Sequence, residues 1–153
     1  MKNLLIVIAT MGIVIFNACK KENKTEITKP QIRLKEVGLD NSKIGYIGSD
    51  FHLEADIEAE AKINIVKIEI HSEHTKSWYF DSTYSEFAGL KNAEFHKHID
   101  MPTNLTDTGQ YHLHFIVSDM NGNQSSVESE IQIKQPTDTL SSIIMNNNFN
   151  IMK

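Results

Sequence analysis

Seven histidines, at positions 52, 71, 74, 96, 98, 112 and 114, are the residues of this chain whose type and spacing could do chemistry. Two pairs, His96/His98 and His112/His114, are separated by one residue. On a strand that spacing turns both rings to the same face, with Cα atoms about 7 Å apart. A third ring from a neighbouring strand, ~4.8 Å away, could then close a set on one ion. Imidazole nitrogen is a ligand for Zn²⁺ and equally suits copper, nickel and iron. Solvent-face histidines can also pair with nearby carboxylates as polar ladders across a sheet, or alter association as they protonate near neutral pH.

Whether such rings converge depends on the strands that carry them. The stretch 107–123 reads DTGQYHLHFIVSDMNGN. Tyr111, Leu113, Phe115 and Val117 alternate with His112, His114, Ile116 and Ser118, the period-two pattern of a half-buried strand. Asp107-x-Gly109-x-Tyr111 ahead of it resembles the tyrosine corner at the start of strand F in immunoglobulin-like sandwiches. Asn121-Gly122 predicts a tight hairpin in which both residues take positive φ.

The same alternation recurs along the chain. Ile32, Leu34 and Glu36 begin a short strand A, and 38–50, with three glycines, reads as a loop. Phe51 to Glu60 is strand B, with His52 outward. Strand C spans Ile63 to His71, with a bulge near Ile65 where the parity changes. Trp78 to Tyr84 is an aromatic edge strand, 85–92 a loop, Glu94 to Met101 strand E and Val127 to Lys134 strand G. The fold expected is an all-β, immunoglobulin-like antiparallel β-sandwich of about seven strands over 30–135.

In that topology C pairs with F and B with E. His71, His112 and His114, with Glu69 beside them, would share one outer face and form the first-choice metal site. His52, His96 and His98 would share the other as the second choice. Sheets stack about 10 Å apart, so one ion cannot serve both sets. All seven imidazoles are expected toward one pole of the domain.

The flanking segments address the chain. Lys2 and the apolar run from Leu4 to Phe16 form a signal segment over 1–18, too short for a membrane span. Cys19, the single cysteine, stands where a bacterial lipobox places its acylated thiol, although Phe16 and Asn17 depart from the usual small or aliphatic residues. Residues 19–29 read as a flexible tether and 136–153 as a disordered tail. Without its signal segment, and with it Lys2, the chain goes from a net charge of −5 to −6, which argues against nucleic acid as a partner. The expected location is the cell envelope, with the chain held to the membrane by lipid.

Other motifs carry less. Asp119-Met120-Asn121-Gly122-Asn123 lacks the register and closing Glu of a calcium loop. Trp78, Tyr79 and Tyr84 could form a sugar-stacking platform, but aromatic residues in an edge strand more often serve packing. Asp81-Ser82-Thr83 and Asp138-Thr139-Leu140 match a short and unspecific O-glycosylation pattern. GxSxG, HExxH, P-loop and dinucleotide motifs are absent, and no nucleophile has an assignable base, so no enzyme is expected.

The segments EVGLDNS (36–42), GSDFHLEADI (48–57), IEIH (68–71), FHKHIDMP (95–102) and GQYHLHFIVSDMNGN (109–123) resemble a family of small Bacteroidota lipoproteins with an immunoglobulin-like domain of unknown function. The resemblance covers 30–134 and implies an exported, lipid-anchored protein without lending it an activity. Two functions remain open at this point. One is a module binding a transition metal, zinc or copper, or a metal-bearing ligand. The other is a structural or adhesive module for an envelope protein or glycan.

Overall fold

In the computed structural model, described for residues 28–72 and 78–136, the chain forms two β-sheets packed face to face. The strands are β1 (Gln31–Val37), β2 (Ile44–Tyr46), β3 (Asp50–Glu58), β4 (Ile63–Ser72), β5 (Tyr79–Tyr84), β6 (Asn92–Asp100), β7 (Gly109–Asp119) and β8 (Gln124–Lys134). One sheet has the order β1-β3-β6 and the other β2-β8-β7-β4-β5. This is the strand order of an immunoglobulin-like sandwich, with B paired to E and C to F as expected. The expected signal segment, Cys19, His74 and the tail beyond 136 lie outside the described residues.

Alternation places the core. Phe51, Leu53, Ala55 and Ile57 of β3 meet Ile68, Ile70, Leu113, Phe115 and Val117 from the facing sheet, each 1% exposed or less. Phe95 and Phe115 pack edge to face across the sandwich, with centroids 4.9 Å apart. Tyr111 is buried, and its hydroxyl donates to the Asp107 carbonyl at 3.3 Å, forming the expected corner. The β4–β7 register slips between Ile63 and Ile65, where the change of parity placed a bulge.

Four sequence expectations change. An eighth strand, β2, lies inside the stretch read as a loop, and it pairs parallel to β8. Three residues are too few to show a period, and Gly45 sits at the centre because a Cβ there would come within 3.1 Å of the Met101 methyl. The hairpin after β7 has a three-residue turn, with Gly122 alone at positive φ (82°). Asp119 explains the longer loop: its carboxylate accepts from the Asn121 and Asn123 amides at 2.9 and 2.8 Å and from Asn123 Nδ2 at 2.9 Å. The aromatic platform does not form. Trp78 packs on Tyr111 and Tyr84 on Phe95, leaving Tyr79 exposed on the opposite side of β5.

The fourth change is in β1. Its register with β3 slips between Leu34 and Glu36, so Leu34 pairs with Ala55 and Glu36 with Glu54. The bulge ends the simple alternation of Ile32, Leu34 and Glu36. Glu36 is thereby turned to the outer face, beside Glu54 and His52.

Asp119 yields a test of the hairpin. Burial alone raises its pKa, but the bonds from Asn123, Asn121 and Gly122 outweigh this and hold it below its ordinary 3.8. A lowered folded value means the carboxylate stabilises the fold above its ordinary pKa and loses that effect as pH falls through the lowered one. Asp119→Ala is expected to lower the melting temperature by ~5 °C at about pH 7, with the gap to wild type narrowing at about pH 2.5. Thermal denaturation followed by circular dichroism at the two pH values measures both.

Candidate metal centre

β3 and β6 run antiparallel with His52 opposite His98 and Glu54 opposite His96. Even-numbered residues of both strands face outward because Phe51, Leu53, Phe95 and Ile99 take the core. Three imidazoles therefore meet on the outer face of the three-stranded sheet. Ring centroids are 4.6 Å apart for His52–His96, 5.0 Å for His52–His98 and 5.4 Å for His96–His98. One ligand atom from each lies within 4.8 Å of the others, the set among the described residues with metal-binding geometry.

Each ring is anchored by a carboxylate on Nδ1. His52 Nδ1 lies 3.1 Å from Glu36 Oε1, His96 Nδ1 lies 3.0 Å from Glu54 Oε1, and His98 Nδ1 contacts Asp50 Oδ2. A carboxylate can only accept, so every Nδ1 carries hydrogen, and a neutral ring then presents a bare lone pair at Nε2. His96 Nε2 and His98 Nε2 are 3.4 Å apart. Two nitrogens on a tetrahedral ion, bound at ~2.05 Å, are ~3.3 Å apart. His52 Nε2 is buried and has no hydrogen-bond partner among the described residues. Carboxylate-backed imidazoles are the usual outer support of a metal site, fixing ring orientation and tautomer.

The electrostatics favour a cation. Glu36, Asp50 and Glu54 bring three negative charges, and Lys35 is the cation beside them, 3.9 Å from Glu54 and 2.7 Å from Glu94. The Asp50 pKa is lowered chiefly by its bond with His98. For Glu36, burial raises the pKa, but donation from the Asp40 amide, His52 and the Asn41 amide carries it below the ordinary value. His52 is the inner ring of the three, its side chain 15% exposed, whereas His96 and His98 are 51% and 56% exposed. One coordination position would thus open to solvent.

The set preferred from sequence lies on the other sheet. His71 pairs with His112 across the β4–β7 ladder, and Glu69 with His114. His71 Nε2 and His114 Nε2 are 3.0 Å apart, but the His112 ring centroid is 5.7 Å from that of His71 and 6.5 Å from that of His114. Glu69 turns to Lys67 at 2.5 Å instead of to the rings. Two of the expected ligands converge there, and the three-ring geometry belongs to His52, His96 and His98. Glu36 and Asp50 were not anticipated from the sequence: the bulge conceals the first, and the second stands at the boundary of the presumed loop.

An immunoglobulin-like sandwich with a carboxylate-backed histidine triad on its outer face is the class of protein defined here. Residues 17–134 match the family described as a domain of unknown function, DUF4625, and the chain belongs to that family. No curated protein matches the sequence. Among solved structures, OgpA from Akkermansia muciniphila matches 69% of this chain at 11% identity and a TM-score of 0.50, with 28% of the OgpA chain covered. Superoxide reductase (neelaredoxin) from Ignicoccus hospitalis matches 70% of this chain and 81% of its own at 10% identity, TM-score 0.44. Murine CRIg matches 71% and 98% at 12% identity, TM-score 0.37. At such identities the likeness concerns the fold alone, and this chain spans under a third of OgpA.

Glu36 joins the triad to the adjoining loop, since its Oε1 also accepts from the Asp40 amide at 2.7 Å. Asp40 and Asn41 hold positive φ there, which needs outside support in residues carrying a Cβ. Glu36→Ala is expected to speed amide exchange at Asp40 by ~10-fold while leaving the β7 amides unchanged, as read by NMR hydrogen exchange.

Proposed function

We propose that this domain is a non-catalytic metal-binding module that takes one divalent transition ion, zinc or copper, through His52, His96 and His98. The observation carrying this reading is a carboxylate oxygen beside the Nδ1 of each of three clustered rings. The carboxylates claim the Nδ1 hydrogens, leaving Nε2 lone pairs, those of His96 and His98 3.4 Å apart, and a deficit of positive charge among the rings. An ion supplies that charge and gives His52 Nε2 the partner it lacks. Exposure of His96 and His98 leaves the ion facing water on a sheet, a setting for capture and exchange more than for enclosed catalysis.

The same proposal extends to location. Cys19 after an apolar segment supports a lipid-anchored protein of the Bacteroidota cell envelope, held to the outer membrane by its acyl chains. The sandwich would then present its ion from the end of a short tether.

Two measurements test these statements separately. Zinc titration of the untagged protein, followed by calorimetry, is expected to give one site, weakened more than 100-fold in His98→Ala and ~10-fold in Asp50→Asn, where only the outer support is lost. Zinc affinity unchanged in both variants would sink the assignment. Labelling of cells with radioactive palmitate is expected to mark the wild-type chain and to vanish in Cys19→Ala; persistent label would refute the anchor.

A further inference from the structure

The outer face of the five-stranded sheet carries imidazoles in a different setting. Cross-strand register lines up His71, His112 and Glu130 in one row, and Glu69, His114 and Glu128 in the next. Within this patch His71 Nε2 and His114 Nε2 lie 3.0 Å apart, their rings nearly parallel at 14°. His114 Nδ1 lies 3.2 Å from Glu128 Oε1 and must therefore donate, leaving its Nε2 as an acceptor. The Ser72 carbonyl, 3.5 Å from His71 Nδ1, can only accept, so His71 donates from Nδ1 and its Nε2, like that of His114, presents a lone pair. This pair therefore also turns two Nε2 lone pairs toward one another, with two rings instead of three.

The site is correspondingly weak, and it offers two imidazoles flanked by carboxylates instead of three imidazoles. Cis nitrogens at ~2.0 Å around a tetragonal ion lie ~2.8 Å apart, close to the separation found. A mixed nitrogen and oxygen set in tetragonal geometry suits Cu²⁺ or Ni²⁺, and Cu²⁺ stands at the top of the divalent affinity order, so it gains most at a site with few donors.

We propose that His71 and His114 form a second, copper-selective site, independent of the triad and weaker than it. The two lie on outer faces of opposite sheets, more than about 10 Å apart, so neither can share an ion with the other. The site coordinates Cu²⁺ through the two Nε2 atoms, with Glu128 orienting His114 and with water or a nearby carboxylate completing the plane. Zn²⁺, which gains less from a two-imidazole set, stays at the triad.

Electron paramagnetic resonance during Cu²⁺ titration of the full, untagged chain tests this. In His52→Ala/His98→Ala, where the triad is lost, one copper per chain is expected to remain, with hyperfine structure from two nitrogens. Adding His71→Ala and His114→Ala to that background should weaken that copper at least ~10-fold and abolish the two-nitrogen signature. His71→Ala/His114→Ala alone should keep the zinc site while binding one copper fewer than wild type. Failure of the triad variant to hold a two-nitrogen copper, or survival of that signal without His71 and His114, would overturn the second site. Neither outcome touches the zinc result, which is read from separate variants. Since all four rings lie on outer faces, circular dichroism should show the fold intact throughout.

Discussion

A neutral imidazole has one hydrogen, and whatever faces one of its nitrogens decides what the other can do. That constraint governs the outer face of the three-stranded sheet. Glu36, Glu54 and Asp50 each face an Nδ1, so each neutral ring is left with a lone pair at Nε2, and those of His96 and His98 stand 3.4 Å apart. Lone pairs at such separations repel unless a cation lies among them.

The sandwich supplies what one strand could not. Residues two apart on β6 put His96 and His98 on one face, but a pair alone makes a poor site. His52 completes it because β3 is the direct antiparallel neighbour and its register sets 52 opposite 98. That register is fixed from within: a slip of one residue would drive Phe51, Leu53 and Phe95 out of the core and the histidines into it. Burial of the odd-numbered residues thus positions the even-numbered ones, and the apolar core is the mechanical support of the polar face.

Much of this was readable from the chain. The alternating segments around 51–59, 63–71, 94–101, 109–118 and 127–134 predict the strands, and Asp107-x-Gly109-x-Tyr111 predicts their topology, because period-two burial and a corner hydrogen bond are local features. The cross-strand partners of His71 and His52 followed. What escaped were features set by tertiary contact. The parallel strand at Ile44–Tyr46 exists through its pairing with β8. The bulge at Lys35 has no local residue signal, yet it moves Glu36 to the outer face. Choosing between the two histidine sets needed the oxygens behind each ring, and those lie on strands and loops distant in sequence.

The two faces make that last point general for this fold. Both carry an HxH pair on one strand and a third histidine on the antiparallel neighbour, so by residue type and spacing they are equivalent. They differ in the outer support. On the three-stranded sheet, carboxylates hold all three Nδ1 atoms, the hydrogen count falls short, and His52 Nε2 is left buried without a partner. On the five-stranded sheet, Glu128 lies beside His114, the Ser72 carbonyl beside His71, and Lys67 draws Glu69 away, so only two rings turn their Nε2 atoms together. Lys67 is itself held protonated, its pKa raised above the ordinary value by its bonds to Glu69 and Asp81. A carboxylate behind each ring therefore separates the triad from the pair, and the bulge in β1 delivers Glu36, the carboxylate that stands behind His52.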